Sequence, residues 1–200
     1  MTSPGYQTVA LHEWHLVGAD GLPVRHRTVQ VLRGLRPGFS SYTYRFDSRE
    51  AEAEVHALRG IRLGETRVDD EGLTAVELEL LRPLDVGETA SLEYETVFDW
   101  KTVPSPEVRR ATRKRVERLD MRVQFHPERL PVELEWAVWD GYGPDARLRA
   151  AELVELDHEC SAHRFVDELT NGTLGFTWTW APGDAPTLGS APTPRSVSGS

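Results

Sequence analysis

Regular alternation of apolar and polar side chains is the feature that most constrains this sequence. Between residues 90 and 100, an apolar or aromatic side chain recurs at almost every second position, and two glutamates and an aspartate stand between them. The segments 42–46 and 74–80 repeat the pattern. A period of two places alternate side chains on opposite faces of a β-strand. The pattern therefore predicts strands with one buried and one solvated face.

Turn signals divide these segments at short intervals. Ala19-Asp20-Gly21 separates the strands predicted at Thr8–Val17 and Val24–Leu35, which indicates a hairpin. Asn171-Gly172 predicts a second hairpin, between the last two strands. Further strands are predicted at Tyr42–Phe46, Glu54–Leu58, Ile61–Val68, Thr74–Leu80, Ala90–Trp100, Met121–Phe125, Val132–Val138, Glu152–His158, Ala162–Leu169 and Thr173–Trp180.

Strands at this spacing predict an all-β fold, an antiparallel β-sandwich or barrel. The predicted organisation is a flexible N-terminus over residues 1–7 and a single β domain over residues 8–180. Residues 181–200 are rich in Pro, Gly, Ser and Ala without an apolar period, which predicts a disordered tail.

One helix is predicted over residues 105–118. Ser105 suits the N-cap, Pro106 the first helical position and Glu107 the first turn. Val108, Thr112, Val116 and Leu119 then recur every three to four residues, which is helical spacing. The basic residues of Arg109–Arg118 then form either a binding patch, for a phosphate-bearing ligand, nucleic acid or an acidic partner surface, or a solvated face. On the second interpretation, its arginines pair with strand glutamates such as Glu93 and Glu95.

Charge and cysteine content exclude several functions. The formal net charge of −9 opposes direct nucleic-acid binding. No apolar run approaches the length of a membrane span, so no membrane partner is predicted. Cys160 is the only cysteine, which rules out an intrachain disulfide and favours a cytoplasmic location.

Two groups resemble metal ligands without matching a metal site. His12 and His15 are three residues apart on a predicted strand, so they should point to opposite faces. Asp157, Cys160 and His163, with the neighbouring His158, lack an obvious fourth ligand. No metal, cofactor or catalytic residue is predicted.

The aromatic residues allow two interpretations. Phe176, Trp178 and Trp180 recur at every second position, so one strand face carries three large rings. They form either a packed core or one wall of a ligand cavity, with polar groups such as His15, Arg27, Arg45 or Asp167 beside it. The residues predicted to bind a ligand are Trp14, Tyr44, Trp136, Trp139, Tyr142 and Trp178.

Several phrases together resemble one protein family. They are RHRTVQVLRGL (25–35), YTYRFD (42–47), GLTAVELELLRPLDVGETASLEYET (72–96), MRVQFHPERLP (121–131) and GFTWTW (175–180). The set is similar to the C-terminal domains of actinobacterial XRE-type helix-turn-helix regulators, and it spans roughly residues 8–180. The resemblance implies an effector or sensor domain, here without the DNA-binding module, and it carries over no catalytic residue.

The sequence thus predicts a regulatory, ligand-sensing or protein-interaction domain without its own catalysis. Its partner would be a small apolar or aromatic molecule, another protein, or a second copy in a homodimer. The alternatives are a small cyclase-like β-barrel enzyme of secondary metabolism and a structural assembly module. An enclosed cavity would favour sensing or catalysis, whereas an exposed apolar patch would favour assembly.

Overall fold

A computed structural model describes residues 5–142, 146–184 and 186–188 of the chain. These residues form thirteen β-strands. The strands are β1 (Tyr6–Val17), β2 (Pro23–Gly34), β3 (Phe39–Phe46), β4 (Ala51–Arg59), β5 (Ile61–Val68), β6 (Thr74–Leu84), β7 (Thr89–Trp100), β8 (Glu107–Thr112), β9 (Leu119–Phe125), β10 (Glu133–Asp140), β11 (Arg147–Leu153), β12 (Ser161–Val166) and β13 (Gly172–Thr179).

The strands assemble into three sheets. A six-stranded sheet has the order β12-β9-β1-β2-β7-β4, a four-stranded sheet the order β11-β10-β13-β8, and a three-stranded sheet the order β3-β6-β5. All pairings within the sheets are antiparallel except that of β1 with β9, which is parallel and aligns Leu11 with Leu119. The predicted all-β sandwich is confirmed, and the described sheets do not close into a barrel.

Two hydrophobic cores lie on the same face of the six-stranded sheet. The first core joins β1, β9 and β12 to the four-stranded sheet, with Phe125, Phe176 and Trp178 at its centre. The second joins β2 and β7 to the three-stranded sheet around Leu78 and Tyr94. We call the face that carries both cores the inner face, and the opposite one the outer face. The six-stranded sheet is thus shared by two sandwiches.

Gly60 marks the point where the chain leaves one sheet for another. It follows β4 in the six-stranded sheet and precedes β5 in the three-stranded sheet. Its φ of 78° lies in the left-handed region, and a Cβ at this position would lie 2.2 Å from the carbonyl oxygen of Ser91. Only glycine satisfies both conditions without strain.

The first hairpin is confirmed, and the second is wrong. β1 and β2 pair antiparallel, with His15 opposite His26. Asn171-Gly172 instead leads from β12, which pairs with β9, into β13 of another sheet. Asn171 has a φ of 51°, a conformation that asparagine tolerates outside hairpins as well.

The predicted helix over residues 105–118 is also wrong. Its first half is the edge strand β8, and none of the described residues is helical. Val116 forms isolated bridges to Thr8 and Leu169, and Leu119 opens β9. The helical spacing of these apolar residues therefore arose from separate contacts with one core.

Boundaries differ at other places too. The strand expected at Glu152–His158 lies earlier, at Arg147–Leu153. β1 begins at Tyr6, within the segment predicted to be flexible. Of the tail predicted to be disordered, residues 185 and 189–200 lie outside the described residues, as do residues 1–4 at the other end.

Candidate functional site

Four of the aromatic residues predicted to bind a ligand are packed inside the protein. Trp178 packs edge-on against Phe125 with their centroids 5.2 Å apart, and Trp136 packs against Phe176 at 4.9 Å. Tyr44 belongs to the second core, and its ring lies 4.8 Å from that of Tyr94. The row Phe176–Trp180 is therefore a packed wall.

Trp139, which is also buried, and Tyr142 contact arginines of the segment that was predicted to be helical. The guanidinium of Arg109 lies 4.3 Å from the ring centroid of Trp139, and that of Arg113 lies 5.2 Å from the ring of Tyr142. Arg109 also pairs with Glu107, and Arg113 pairs with Glu71. Arginines of the basic segment thus pair with glutamates, as part of the second interpretation predicts, although the partners are not Glu93 and Glu95 and the segment is not a solvated helix face.

Trp14 lies apart from the other predicted residues. It is on the outer face of the six-stranded sheet and is 43% exposed. The guanidinium of Arg122, on neighbouring β9, lies 4.9 Å from its ring centroid. The six predicted residues therefore do not converge on one site.

A different set of side chains does converge, on the inner face between the two cores. We call it the polar seam; its members come from β1, β2, β3, β7 and β8. It consists of Glu13, His15, His26, Thr28, Tyr44, Thr96 and Arg110. Apart from Arg110, whose side chain is 14% exposed, each of these residues is buried.

Strand register brings the seam together. The pairing of β1 with β2 sets Glu13 opposite Thr28, and His15 opposite His26. Residues opposite one another in an antiparallel ladder point to the same face, so all four side chains enter the interior. Arg110 reaches the seam from β8, in the four-stranded sheet that packs on this inner face. Alternate residues of a strand face the same way, and Val108, two residues earlier, packs in the first core.

The carboxylate of Glu13 is the electrostatic centre of the seam. Its Oε1 atom forms an ion pair with the guanidinium of Arg110 and lies 3.1 Å from Nε2 of His26. Burying a carboxylate without compensation would be costly, and the guanidinium supplies the opposite charge. Burial lowers the pKa of Arg110 to about 10, so that it stays charged at neutral pH.

The two histidines are stacked in parallel. Their ring centroids are 4.2 Å apart with an interplanar angle of 11°. Burial lowers the pKa of His26 to about 4. Burial, and secondarily the neighbouring His26, lower the pKa of His15 well below its usual value. Both imidazoles are therefore neutral near pH 7 and able to act as lone-pair donors.

Hydroxyl groups complete the surroundings of His26. The Tyr44 hydroxyl lies 3.4 Å from Nδ1 of His26 and accepts a hydrogen bond from the Thr96 hydroxyl. The Thr28 hydroxyl lies 3.1 Å from Nε2. Burial raises the pKa of Tyr44 to about 12, so its hydroxyl stays protonated.

Three buried atoms of the seam lack a hydrogen-bond partner within the described part of the chain. They are Oε2 of Glu13, Nε2 of His15 and the donor Nε of Arg110. Buried polar atoms are nearly always satisfied, and each such exception asks for an explanation. Among the described residues, Glu13, His15 and His26 are also the one group whose ligand-type atoms come close enough for a shared metal ion, all within 4.8 Å of one another.

The other metal-like groups do not assemble. His12 lies on the outer face beside Asp120, opposite in direction to buried His15, as predicted. Asp157 accepts hydrogen bonds from the backbone N–H groups of Glu159 and Ser161, which identifies it as a turn residue. Cys160 is a free thiol in that turn.

Surface depressions in the described structure are open to solvent. One of about 210 Å³ is lined by Tyr6, Thr8, Leu35 and Lys114 among others, and one of about 360 Å³ by residues 36–41 with Gly5. Neither contains the seam. No helix in the described part is long and apolar enough to cross a membrane.

Comparisons with known proteins give a fold likeness alone. No family model matches the chain, and no curated protein matches it. Among solved structures, it is similar to a protein from Parabacteroides distasonis named "putative protease", with a TM-score of 0.54 and 11% sequence identity. The match covers 88% of this chain and 41% of that one. This architecture therefore also occurs as part of a longer protein.

Proposed function

We propose that this chain is a protein-interaction domain without chemistry of its own, which pairs with a second copy through the outer face of its six-stranded sheet. The observation that carries the proposal is the division of charge on that face around the exposed Trp14. Packing of the aromatic interior supports it, because Tyr44, Trp136 and Trp178, which were predicted to line a small-molecule cavity, already pack against other rings of the two cores.

The outer face has a cationic side and an acidic side. Strands β9 and β2 contribute Arg122, Arg25 and Arg27, on either side of Trp14 on β1, and the one carboxylate that β9 adds to this face is that of Asp120, beside His12. The neighbouring strands β7 and β4 contribute mostly carboxylates. These are Glu93, Glu95 and Asp99 on β7 and Glu52 and Glu54 on β4.

A two-fold axis parallel to the strands, between β1 and β2, would make this face complementary to itself. Such an axis sets β1 of one copy against β2 of the other, and β9 against β7. Arg122 then meets the glutamates of the second copy, and Trp14 lies beside its Arg27. Isologous pairing of this kind is the commonest symmetry of soluble oligomers, and tryptophan and arginine dominate interface energetics.

The size of the outer face indicates how strongly two copies should bind each other. Six strands about 4.8 Å apart and about seven residues deep present roughly 24 by 23 Å, which is small for a specific interface. The arginines also have partners within the chain, such as Glu93 for Arg27 and Glu95 for Arg25. In these pairs the arginine is about half exposed and the glutamate mostly buried. Exchanging one pair for an equivalent pair with the second copy leaves the number of ion pairs unchanged, so the energy changes little. We therefore expect a weak, salt-sensitive dimer.

The family resemblance supports the same role. The C-terminal domains of XRE-type regulators, which these phrases resemble, would serve as effector modules, and sensor domains of regulators often pair. The structural likeness of this chain to 41% of a longer protein is also consistent with a domain that works as one part of a larger chain. A peptidase role based on a hydroxyl nucleophile gains no support from the described residues, because the hydroxyls within hydrogen-bond distance of an imidazole, those of Thr28 and Tyr44, are both buried.

Sedimentation velocity over a range of protein and salt concentrations tests this proposal. We expect a concentration-dependent dimer that weakens at high salt, because its charges are exposed. Trp14→Ala and Arg122→Glu should each leave the chain monomeric. Leu148→Ala, at an exposed site on the edge strand of another sheet, is the matched control and should not.

A charge exchange makes the test specific. Arg122→Glu and Glu95→Arg chains should each fail to self-associate, and a mixture of the two should pair. A wild-type chain that stays monomeric at all concentrations and low salt contradicts the proposal, as does a dimer that survives Trp14→Ala.

A further inference from the structure

The polar seam contains more ligand-type atoms than its hydrogen bonds use. We propose that Glu13, His15 and His26 bind one divalent transition-metal ion of the Zn²⁺ class. This site lies on the inner face and is independent of the interaction proposed for the outer face. Two of the unpartnered buried atoms of the seam, Oε2 of Glu13 and Nε2 of His15, can donate a lone pair, and they are the observation that points to a ligand.

The donor set fits a transition metal. Two imidazole nitrogens and one carboxylate are a common set of protein ligands for zinc and for iron(II), with remaining positions for water. Calcium and magnesium instead prefer oxygen ligands in larger numbers. The seam offers two nitrogens and one carboxylate, so selection should favour Zn²⁺ and Co²⁺ over Mg²⁺ and Ca²⁺.

The distances require only a local adjustment. The three ligand atoms lie within 4.8 Å of one another. Ligands of a tetrahedral zinc ion with bonds of about 2.0 Å lie about 3.3 Å apart. Side-chain rotations that move the ligand atoms together by up to about 1.5 Å close that difference. They must also tilt the two rings towards the ion, because an imidazole lone pair lies in the ring plane and the rings are stacked nearly parallel. Ladder pairing of β1 with β2 keeps the backbones of His15 and His26 opposite each other throughout.

Tyr44 is placed to orient one ligand. Its hydroxyl lies 3.4 Å from Nδ1 of His26. A hydrogen on Nδ1 directed to that oxygen leaves the lone pair of Nε2 free for the ion, which is how metal-binding histidines are usually held. Thr96 in turn donates to the Tyr44 hydroxyl and fixes its position.

Arg110 competes with the ion for the same carboxylate. Its guanidinium contacts Oε1 of Glu13, whereas Oε2 remains without a partner. A carboxylate can hold a guanidinium on one oxygen and a metal on the other, at the cost of repulsion between the two cations. Replacing Arg110 with methionine should therefore tighten metal binding.

Cobalt absorption tests the site directly. The full chain is freed of metal with a chelator, and Co²⁺ is then added to the native protein and, separately, during refolding from urea, because the seam is buried. We expect one Co²⁺ per chain with visible absorption bands that Zn²⁺ abolishes and Mg²⁺ does not. His15→Gln and His26→Gln should each weaken Co²⁺ binding at least roughly tenfold.

Matched controls separate this site from the other histidines. His12→Gln changes the outer face of the same strand. Cys160→Ser removes the thiol, a possible metal ligand, from the turn near His158 and His163. Both variants should retain the bands. Bands that disappear in Cys160→Ser, or that persist in both seam variants, overturn the proposal. So does the lack of any spectrum after refolding with Co²⁺.

If the seam variants do not fold, a measurement on the wild-type chain can still test the site. Met121 pairs with Glu13 across the parallel ladder and is one of two methionines in the sequence. Bound Co²⁺ should strongly shift its methyl NMR signal. A Met121 signal that stays unshifted at saturating Co²⁺ contradicts the site.

Discussion

Charged side chains lie in the interior of this molecule, between its two hydrophobic cores. Glu13 and Arg110 form an ion pair between two hydrophobic cores, and two neutral histidines stack beside it. A buried pair adds little net stability compared with apolar residues of the same shape, but losing one partner leaves a charge without compensation. The consequences of that imbalance can be measured one residue at a time.

Replacing Glu13 with glutamine should destabilise the protein by about 3–5 kcal/mol, since Arg110 remains buried without its counter-charge. Urea unfolding of chelator-treated protein measures the change. The double variant Glu13→Leu with Arg110→Met should recover much of the loss. Lys101→Ala, which breaks an exposed pair with Glu52, serves as the control and should change little. If Glu13→Gln lost no more stability than Lys101→Ala, that result would contradict this account of the seam.

Acid should destabilise the metal-free protein through His26 and His15. Their pKa values are lowered in the folded state, to about 4 for His26, so the unfolded chain binds protons first. Stability is therefore complete above about pH 6.5 and falls as the pH drops towards 4, by about 3 kcal/mol for His26. Glu13, Arg110 and Tyr44 face these rings. In the unfolded chain Arg110 and Tyr44 keep their charge state throughout this window, and a glutamate such as Glu13, with an ordinary pKa of about 4.3, gains a proton only at its acidic end.

Urea unfolding between pH 7 and pH 4.5 in the presence of a chelator measures this loss. His26→Gln should flatten the pH profile, whereas His12→Gln on the outer face should not. A wild-type profile that is already flat between pH 6.5 and pH 5 would show that the imidazoles do not need to stay neutral for folding.

At the scale of strands, alternation predicted most elements because one face of each is apolar. It failed at β8, where Arg110 points inward in place of an apolar residue. That inward arginine hides the period of two and leaves the apolar residues at helical spacing. The pairing of the two histidines could have been predicted from the hairpin around Asp20-Gly21. Residues at equal distances from such a turn pair with each other, and His15 and His26 lie at equal distances from it.

The rest of the seam was out of reach of the sequence. Arg110 is nearly 100 residues from Glu13 in the chain, and the two meet only because β8 lies over the six-stranded sheet. Nor could the sequence distinguish a packed from an open aromatic interior. That outcome depends on how closely two sheets approach, which alternation alone does not determine.

Close approach of β13 to β8 gives a prediction at this scale. A Cβ on Gly175 would lie 1.9 Å from the carbonyl oxygen of Val108, which is backbone and cannot rotate away. Gly175→Ala should therefore destabilise the chain by roughly 1–3 kcal/mol, as measured by thermal or urea unfolding. Gly172→Ala in the same strand meets its nearest side-chain atom at 3.4 Å and is the control. Equal stability of the two variants would contradict the packing described.

At the scale of the whole molecule, one sheet serves two cores. The prediction of a single β domain over residues 8–180 depends on whether the cores unfold together. Leu78 is fully buried in the second core, and Trp178 reports on the first. Because β1 and β2 pair along their whole lengths, we expect one transition.

Leu78→Ala tests this coupling. It should lower the free energy of unfolding by about 2–5 kcal/mol and shift the tryptophan fluorescence and far-ultraviolet circular dichroism transitions by the same amount. Val86→Ala, at an exposed position near the same core, is the control. Fluorescence that keeps the wild-type midpoint in Leu78→Ala would instead mean two independently folding units.

The parallel pairing of β1 with β9 has a consequence for how the chain acquires its structure. Leu11 aligns with Leu119, so the middle of the largest sheet closes a loop of more than a hundred residues. Loop closure of this length costs entropy before any contact repays it, and proteins of high contact order fold slowly. During synthesis, the second core, whose residues lie before Trp100, is complete before β9 has emerged. One edge of β1 then stays unpaired, and the first core must assemble onto it late.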